Sequence, residues 1–357
     1  MAIRVLIVDD SALMRKLLQA RLGREEDIEV VGLACDAQEA RSLIKALNPD
    51  VVTLDIEMPG MDGLSFLEKI MQLRPTPVII VSGTTREGDR NTVRALQLGA
   101  ISCYAKADHH SGGPGDDGGQ LADLVREAAQ VSFRKPAAIA PSTAPSNAPS
   151  VTPAAARREP PRLVALGAST GGVEALCKLL AQFPRNCPPT VIVQHVNARF
   201  APAIAQSLDA ACPARVVLAE TDMRLEQGTV YLAPGGDRHM LVATAGTLGH
   251  RVVLRQGPEV SGHRPSVDVL FGSVAEVFGA EAVGALLTGM GQDGARGLLK
   301  MHRKGAHTIA QDAESCVVYG MPRAAVELGA VSKVLPLEHI TGNIFAPGEL
   351  AREAMAS

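Results

Sequence analysis

Apolar runs of strand length alternate along this chain with stretches whose apolar residues recur every three or four positions. In the first third, Ile3–Val8, Glu29–Leu33, Val51–Leu54, Val78–Val81 and Ile101–Ala105 read as strands. Ala12–Leu22, Ala37–Ala46, Ser65–Gln72 and Asp89–Leu98 read as the helices between them. Five βα units in succession predict a doubly wound parallel sheet. A helical pattern from Leu121 to Ala129 follows, and then the periodicity stops. Residues 131–161 are rich in Pro, Ala, Ser and Thr with almost no large apolar side chain, a composition that cannot bury a core and reads as a flexible tether. From Leu163 the alternation resumes. Strands are predicted at Leu163–Leu166, Thr190–Gln194, Arg215–Ala219, Val230–Ala233, Met240–Ala243, Val252–Arg255 and Ala282–Leu287. Helices are predicted from Val173 and at Ala198–Ala210, Ser266–Phe278 and Gly294–Lys304. The pattern therefore divides the chain into a unit at 1–130, a linker at 131–161 and a second unit at 162–350. Both units are α/β with mainly parallel sheets, the second interrupted by a hairpin-like stretch near 230–256.

Bulk properties narrow the function. A net charge of −3 over 357 residues argues against a nucleic-acid surface as the main output. No apolar run is long enough to span a bilayer, and the chain enters its first strand at Ile3 without a signal-peptide layout, so the expected location is cytoplasmic with no membrane insertion. The six cysteines show no C-x-x-C spacing and read as reduced thiols rather than a zinc site.

Polar residues gather at the strand ends of the first unit, where ligands bind in open α/β sheets. Asp9 and Asp10 follow the first strand, Asp55 ends the third, Ser82 the fourth, and Lys106 follows the fifth. Each alone could be a turn residue. Three converging carboxylates, however, suit an oxygen-liganded cation such as Mg²⁺, and a carboxylate beside it can accept a phosphoryl group. With Met58-Pro59-Gly60-Met61-Asp62-Gly63 after Asp55, these residues make the segment 1–106 resemble the receiver domain of bacterial response regulators, a flavodoxin-like fold. The resemblance implies that Asp55 is phosphorylated, that Asp9, Asp10 and Asp55 bind Mg²⁺, and that Ser82 and Lys106 contact the phosphate. Two positions depart from the usual pattern: Ala107 stands where Pro usually follows the lysine, and Cys103 where an aromatic switch residue is common, with Tyr104 beside it.

In the second unit, Leu163–Leu166 breaks at Gly167 and a helical pattern starts after Gly171-Gly172, so Ser169 lies on a strand-to-helix turn. Serine there can be a helix N-cap or a nucleophile whose oxyanion meets backbone donors. His195 and Asp293 fall at two further strand ends, and the three together favour a hydrolytic triad over a capping serine, a satisfied helix-entry histidine and a capping aspartate. The order Ser, His, Asp departs from the Ser, Asp, His order of α/β-hydrolases, and the position where a dinucleotide site needs its acid holds Val193-Gln194-His195. The segments Gly167–Gly172, Gln194-His195, Tyr231–Gly235, Gly262–Asp268, Leu287–Ala295, Ile309–Asp312 and Tyr319–Pro322 together resemble the catalytic domain of the CheB protein-glutamate methylesterase family, a Rossmann-like three-layer hydrolase.

That resemblance implies phosphorylation-regulated hydrolysis of glutamyl methyl esters on methyl-accepting chemotaxis receptors, and deamidation of certain receptor glutamines. Ser169 would be the nucleophile, His195 the base and Asp293 the orienting acid, with the Met290 N–H and Thr170 supporting the oxyanion. The esterase unit would need no cofactor, and the phosphodonor would be a CheA-type histidine kinase. His263 lies in a matching stretch with no implied role, while His239, His250, His302, His307 and His339 read as surface or packing residues. A DNA-binding response regulator is the first rival, but the second unit is too large and sheet-rich for a helix-turn-helix output. A non-catalytic adaptor on the same fold is the second.

Overall fold

In the computed structural model, residues 2–58, 63–83, 86–106, 119–131, 161–246 and 249–345 are described. Most of the proposed linker, the Pro59–Asp62 part of the Asp55 motif and Ala107 lie outside them. In the first unit, β1 (Ile3–Val8), β2 (Ile28–Ala34), β3 (Val51–Asp55), β4 (Val78–Ser82) and β5 (Ser102–Ala105) form one parallel sheet in the order β2-β1-β3-β4-β5. The helices α1 (Ala12–Leu22), α2 (Ala37–Leu47), α3 (Gly63–Leu73), α4 (Arg86–Gln97) and α5 (Gln120–Ala129) connect and flank the strands. The strands are apolar on both faces because helices cover both: Leu6, Val52, Leu54 and Ile80 pack toward α2 and α3, and Val5, Ile7, Ile79 and Val81 toward α1 and α5. The strand order reverses between β1 and β3, which sets Asp9 and Asp55 side by side at the carboxyl edge.

The second unit has seven parallel strands. They are β6 (Leu163–Ala168), β7 (Thr190–Gln194), β8 (Arg215–Leu218), β9 (Thr229–Leu232), β12 (Ala282–Leu286), β13 (His307–Gln311) and β14 (Lys333–Leu335), in the order β14-β13-β12-β6-β7-β9-β8. The antiparallel pair β10 (Arg238–Thr244) and β11 (His250–Gln256) stands outside this sheet as a hairpin. Along β6 the pleat sends Leu163 and Ala165 toward α8 (Val267–Phe278) and α9 (Ala295–Arg303). Val164, Leu166 and Ala168 face α6 (Gly172–Leu180), α7 (Ala201–Ala211) and α11 (Leu337–Ile344), giving three layers. Again the order reverses at the centre, between β6 and β12.

The predicted elements are present with ends shifted by up to three residues. The pattern did not yield β13, β14, α10 (Met321–Glu327) or α11; β14 is a three-residue, largely exposed edge strand with no alternation to read.

Candidate active site

Ser169 comes directly off β6, His195 directly off β7, and Asp293 from the loop between β12 and α9, so three neighbouring strands at the central reversal deliver the three side chains. The serine turn is shaped by glycine. The Gly172 N–H donates to Ser169 O at 2.7 Å, and Gly171, with φ 74° and ψ 1°, has the conformation of the third residue of a type II turn. A Cβ on Gly171 would also lie 2.6 Å from Val317 Cβ. Gly171, not Ser169, is the N-cap of α6, and no side chain caps that helix. The cap reading of Ser169 is thereby corrected: the turn has already closed through the backbone, and the side chain is left free of that duty.

Gln194 ties the serine and histidine together. Its Nε2 donates to Ser169 O at 2.8 Å and to His195 O at 3.0 Å, joining the two strand ends. Asp293 is fully buried and heavily bonded. Its Oδ2 lies 2.8 Å from His195 Nε2 and accepts from the Val267 N–H at 2.7 Å. Its Oδ1 accepts from Ser266 Oγ at 2.7 Å and from the Asp268 and Gly294 N–H groups, each at 3.0 Å. Burial alone would raise this carboxyl, but the His195 contact, Ser266 and the N–H groups at the start of α8 outweigh it and hold the pKa below its ordinary range. Asp293 is thus a fixed anion at a helix N-terminus, turned toward the imidazole.

His195 Nδ1 is buried and has no hydrogen-bond partner among the described residues. The aspartate–histidine half of the constellation is therefore formed, and the serine–histidine bond is not. Gly289 runs against the serine, since a Cβ there would lie 2.7 Å from Ser169 Cβ. The next residue, Met290, has a backbone N–H without an acceptor among the described residues. Thr288 Oγ1 donates to Thr170 O at 3.0 Å, fixing this loop to the serine turn. Sequence reading passed over Gln194 as a tie and Ser266 as a ligand of Asp293; both stood in quoted motifs, but only their partners show what they do. His239 and His302 are structural: His239 Nε2 lies 2.8 Å from Pro258 O, and His302 Nδ1 lies 3.0 Å from Thr308 Oγ1.

At the carboxyl edge of the first sheet, Lys106 Nζ lies 2.6 Å from Asp55 Oδ2 and 2.9 Å from Asp9 Oδ2. Carboxylate oxygens of Asp9, Asp10 and Asp55 all lie within 4.8 Å of one another. Burial pushes Asp9 above the ordinary carboxylate range; Lys106 opposes this, and the Asp55 charge adds to it. Burial also works against a charged Lys106, but its bonds to Asp55 and Asp9 prevail and raise its pKa. Three carboxylates thus face one ammonium. That imbalance, and the all-oxygen donor set with Asp10 exposed to solvent, fit a Mg²⁺ ion. Ser82 is fully buried beside this edge. Tyr104 points to the other face of β5, where its hydroxyl meets Arg21, while Cys103 faces the second unit.

The two units meet over the serine. A cavity of about 400 Å³ is lined by Cys103, Leu124 and Glu127 from the first unit and by Ser169, His195 and His263 from the second. Thr170 Oγ1 donates to Glu127 Oε2 at 3.3 Å. Gln97 Nε2 at the end of α4 donates to Ser207 Oγ of α7 at 2.7 Å. Arg199, four residues after His195, binds Asp89 Oδ1 through Nε at 2.9 Å and also reaches the carbonyl of Gly83, the residue after Ser82.

Residues 164–344 match the family model for CheB methylesterase, and residues 5–110 the model for the response regulator receiver domain. A protein-glutamate methylesterase/protein-glutamine glutaminase 1 of Caulobacter vibrioides is 52% identical over 348 residues, covering 96% of this chain and 97% of its own. A protein-glutamate methylesterase/protein-glutamine glutaminase of Agrobacterium fabrum is 52% identical over 339 residues, 94% of each chain. The crystal structure of the Thermotoga maritima CheB methylesterase catalytic domain is 34% identical to the matching part, with a TM-score of 0.50. It covers 52% of this chain and 97% of that one.

Proposed function

The chain belongs to the CheB methylesterase family, with a receiver domain ahead of the enzyme, and from that membership we propose how its own residues carry the family's activity. It is a protein-glutamate methylesterase and protein-glutamine glutaminase under phosphorylation control. The domains are the receiver at 1–130, the linker at 131–161 and the methylesterase at 162–350. The substrates are glutamyl methyl esters and selected glutamines of chemotaxis receptors.

Ser169 Oγ attacks the ester carbonyl as His195 takes its proton, and Asp293 stabilises the resulting imidazolium. The oxyanion meets the Met290 N–H, with Thr170 supporting the serine side. His195 returns the proton to the leaving methanol, or to ammonia from a glutamine. Water, deprotonated by His195, then cleaves the acyl-serine and releases glutamate and free Ser169. The observation that carries this reading is the 2.8 Å His195–Asp293 bond set next to Ser169 on adjoining strand ends.

In the receiver, Asp55 accepts the phosphoryl group from a histidine kinase of the CheA type, with Ser82 and Lys106 contacting its oxygens. Asp9, Asp10 and Asp55 would hold Mg²⁺, which supplies charge neutralisation during transfer. Without phosphate, α4 and α5 lie over the triad edge and restrict access; phosphorylation draws the Ser82–Gly83 segment toward Asp55 and loosens the Arg199 contact. All of this is cytoplasmic chemistry; no described helix is long and apolar enough to cross a membrane.

The test is methanol release from methylated receptors by the full chain, with and without a small-molecule phosphodonor, alongside Ser169→Ala. Phosphodonor-stimulated release that Ser169→Ala abolishes supports the reading. Undiminished release by Ser169→Ala defeats it.

A further inference from the structure

The imidazole of His263 lies flat on that of His195, with ring centroids 3.7 Å apart and planes inclined by only 16°. We propose that His263 is a positioning residue for the catalytic base, a ring clamp that fixes the rotation of His195 about its single hydrogen bond. The inference rests on the assignment of His195 as the base of Ser169.

Among the described residues, His195 is held in its plane at one atom only, by the 2.8 Å contact from Nε2 to Asp293, and Nδ1 has no partner. One hydrogen bond is a pivot. A ring free to swing on it would spend time with its second nitrogen turned away from the serine, and misplacement of a reacting group by an ångström can cost two orders of magnitude in rate. A flat neighbour on the ring face removes that freedom without competing for either nitrogen.

The chain goes to some length to place that neighbour. Val260 and His263 exchange backbone bonds of 3.1 and 3.0 Å across Ser261 and Gly262, both at positive φ (54° and 79°), which is the two-residue turn of a tight hairpin. Ser261 Oγ donates to Asp268 Oδ2 at 3.0 Å, and the Asp268 N–H in turn donates to Asp293 Oδ1. The helix start that holds the acid therefore also holds the turn carrying His263. The His263 ring makes no hydrogen bond to a described residue, unlike His239 and His302. Burial, then the neighbouring His195, push its pKa down to about 4, so at working pH a neutral ring covers His195 and no like charge is stacked on the imidazolium formed in catalysis.

The experiment compares His263→Ala, His263→Leu and His263→Phe in the full-length, phosphodonor-activated protein. Melting curves check folding, and Ser169→Ala serves as the reference for loss of the hydrolytic reaction. Two quantities are read: kcat and KM for receptor demethylation, and the rate of Ser169 labelling by a fluorophosphonate. A ring clamp predicts kcat and labelling lowered about tenfold in Ala and Leu at unchanged KM, and largely restored by Phe, which stacks but cannot titrate. Equal rates in all three variants and the parent overturn the proposal. So does Leu matching Phe, which would reduce His263 to filling volume, and so does a change confined to KM, which would make it a substrate contact. Should Ala fail to fold, the Leu–Phe comparison still decides. Activity persisting in Ser169→Ala would instead overturn the triad itself.

Discussion

Glu127, on the last helix of the receiver, accepts a hydrogen bond from the hydroxyl of Thr170, the residue after the proposed nucleophile Ser169. The contact sets a glutamate side chain beside the centre of an enzyme whose product is a glutamate side chain. Loss of one such bond is worth about 1 kcal/mol, or roughly fivefold in an equilibrium. Glu127→Ala should accordingly raise the unphosphorylated rate by about fivefold and leave the phosphorylated rate unchanged in methanol-release assays. An unphosphorylated rate equal to the parent's would remove Glu127 from the interface that restrains the enzyme.

The same residue predicts a pH dependence with a definite sign. Burial raises the Glu127 pKa above 4.5; Thr170 and His195 partly oppose this. The docked state therefore binds the Glu127 proton more tightly than the undocked one, and docking is strongest where Glu127 is protonated. As pH rises from about 4.5 through the raised value, docking weakens. The ratio of unphosphorylated to phosphorylated activity should rise over that window, and in Glu127→Gln it should stay flat.

Arg199 connects the loop after His195 to the receiver at Asp89 and Gly83. With both Arg199 and Asp89 about one-fifth exposed, the ion pair is partly screened, so its expected worth is about 1 kcal/mol or less. Arg199→Ala should raise basal activity a few-fold, and added salt should do the same in the parent but less in the variant. Paired Arg199→Asp and Asp89→Arg should recover part of the restraint lost by either alone.

What the sequence made legible is what local pattern carries. Strand-length apolar runs and 3.6-residue periodicity identified both sheets, and residue type at the strand ends singled out Asp9, Asp55, Lys106, Ser169, His195 and Asp293 as candidates, which the fold gathers at the carboxyl edges of the two sheets. Hidden were relationships between distant segments. Glu127 reads as one polar position on an amphipathic helix, because its partner is 43 residues away in another unit. His263 stood in a noted motif, yet its stack on His195 depends on a hairpin turn folding back toward β7. Tyr104 shows the same limit from the other side. It stands next to the Cys103 switch position in the sequence, but the pleat of β5 sends it to the opposite face, against Arg21.

Ser266 performs two tasks, capping α8 through the Val269 N–H and donating to Asp293 Oδ1 at 2.7 Å. Ser266→Ala should cost about 1 kcal/mol of stability from the cap and lower kcat with little change in KM, by denuding the carboxylate that orients His195. Asp293 itself has a depressed pKa, so its contribution to stability is present above the ordinary aspartate value of 3.8 and is lost as pH falls through the lower folded value. Acid melts of Ser266→Ala should begin at higher pH than those of the parent, because one of the bonds that depress Asp293 is gone.

Metal removal separates the two chemistries. The oxygen cluster of Asp9, Asp10 and Asp55 lies in the receiver, whereas the chemistry proposed for Ser169, His195 and Asp293 calls only for protons and backbone donors. A chelator should therefore abolish phosphodonor stimulation and leave the unstimulated rate of ester hydrolysis unchanged. Asp55→Asn should reproduce the loss of stimulation without a chelator. Lys106→Ala should weaken it for a different reason: with the ammonium gone, Asp9 and Asp55 lose the cation that holds both, and the cluster faces the same repulsion with no fixed counter-charge. Stimulation by the phosphodonor should then fall or fail even at saturating Mg²⁺, because the proposed phosphate contact of Lys106 is gone, while methanol release without the phosphodonor stays at or above the parent's level. A fall in that unstimulated rate on chelation would place a metal in the esterase half and contradict the division of labour proposed for the two units.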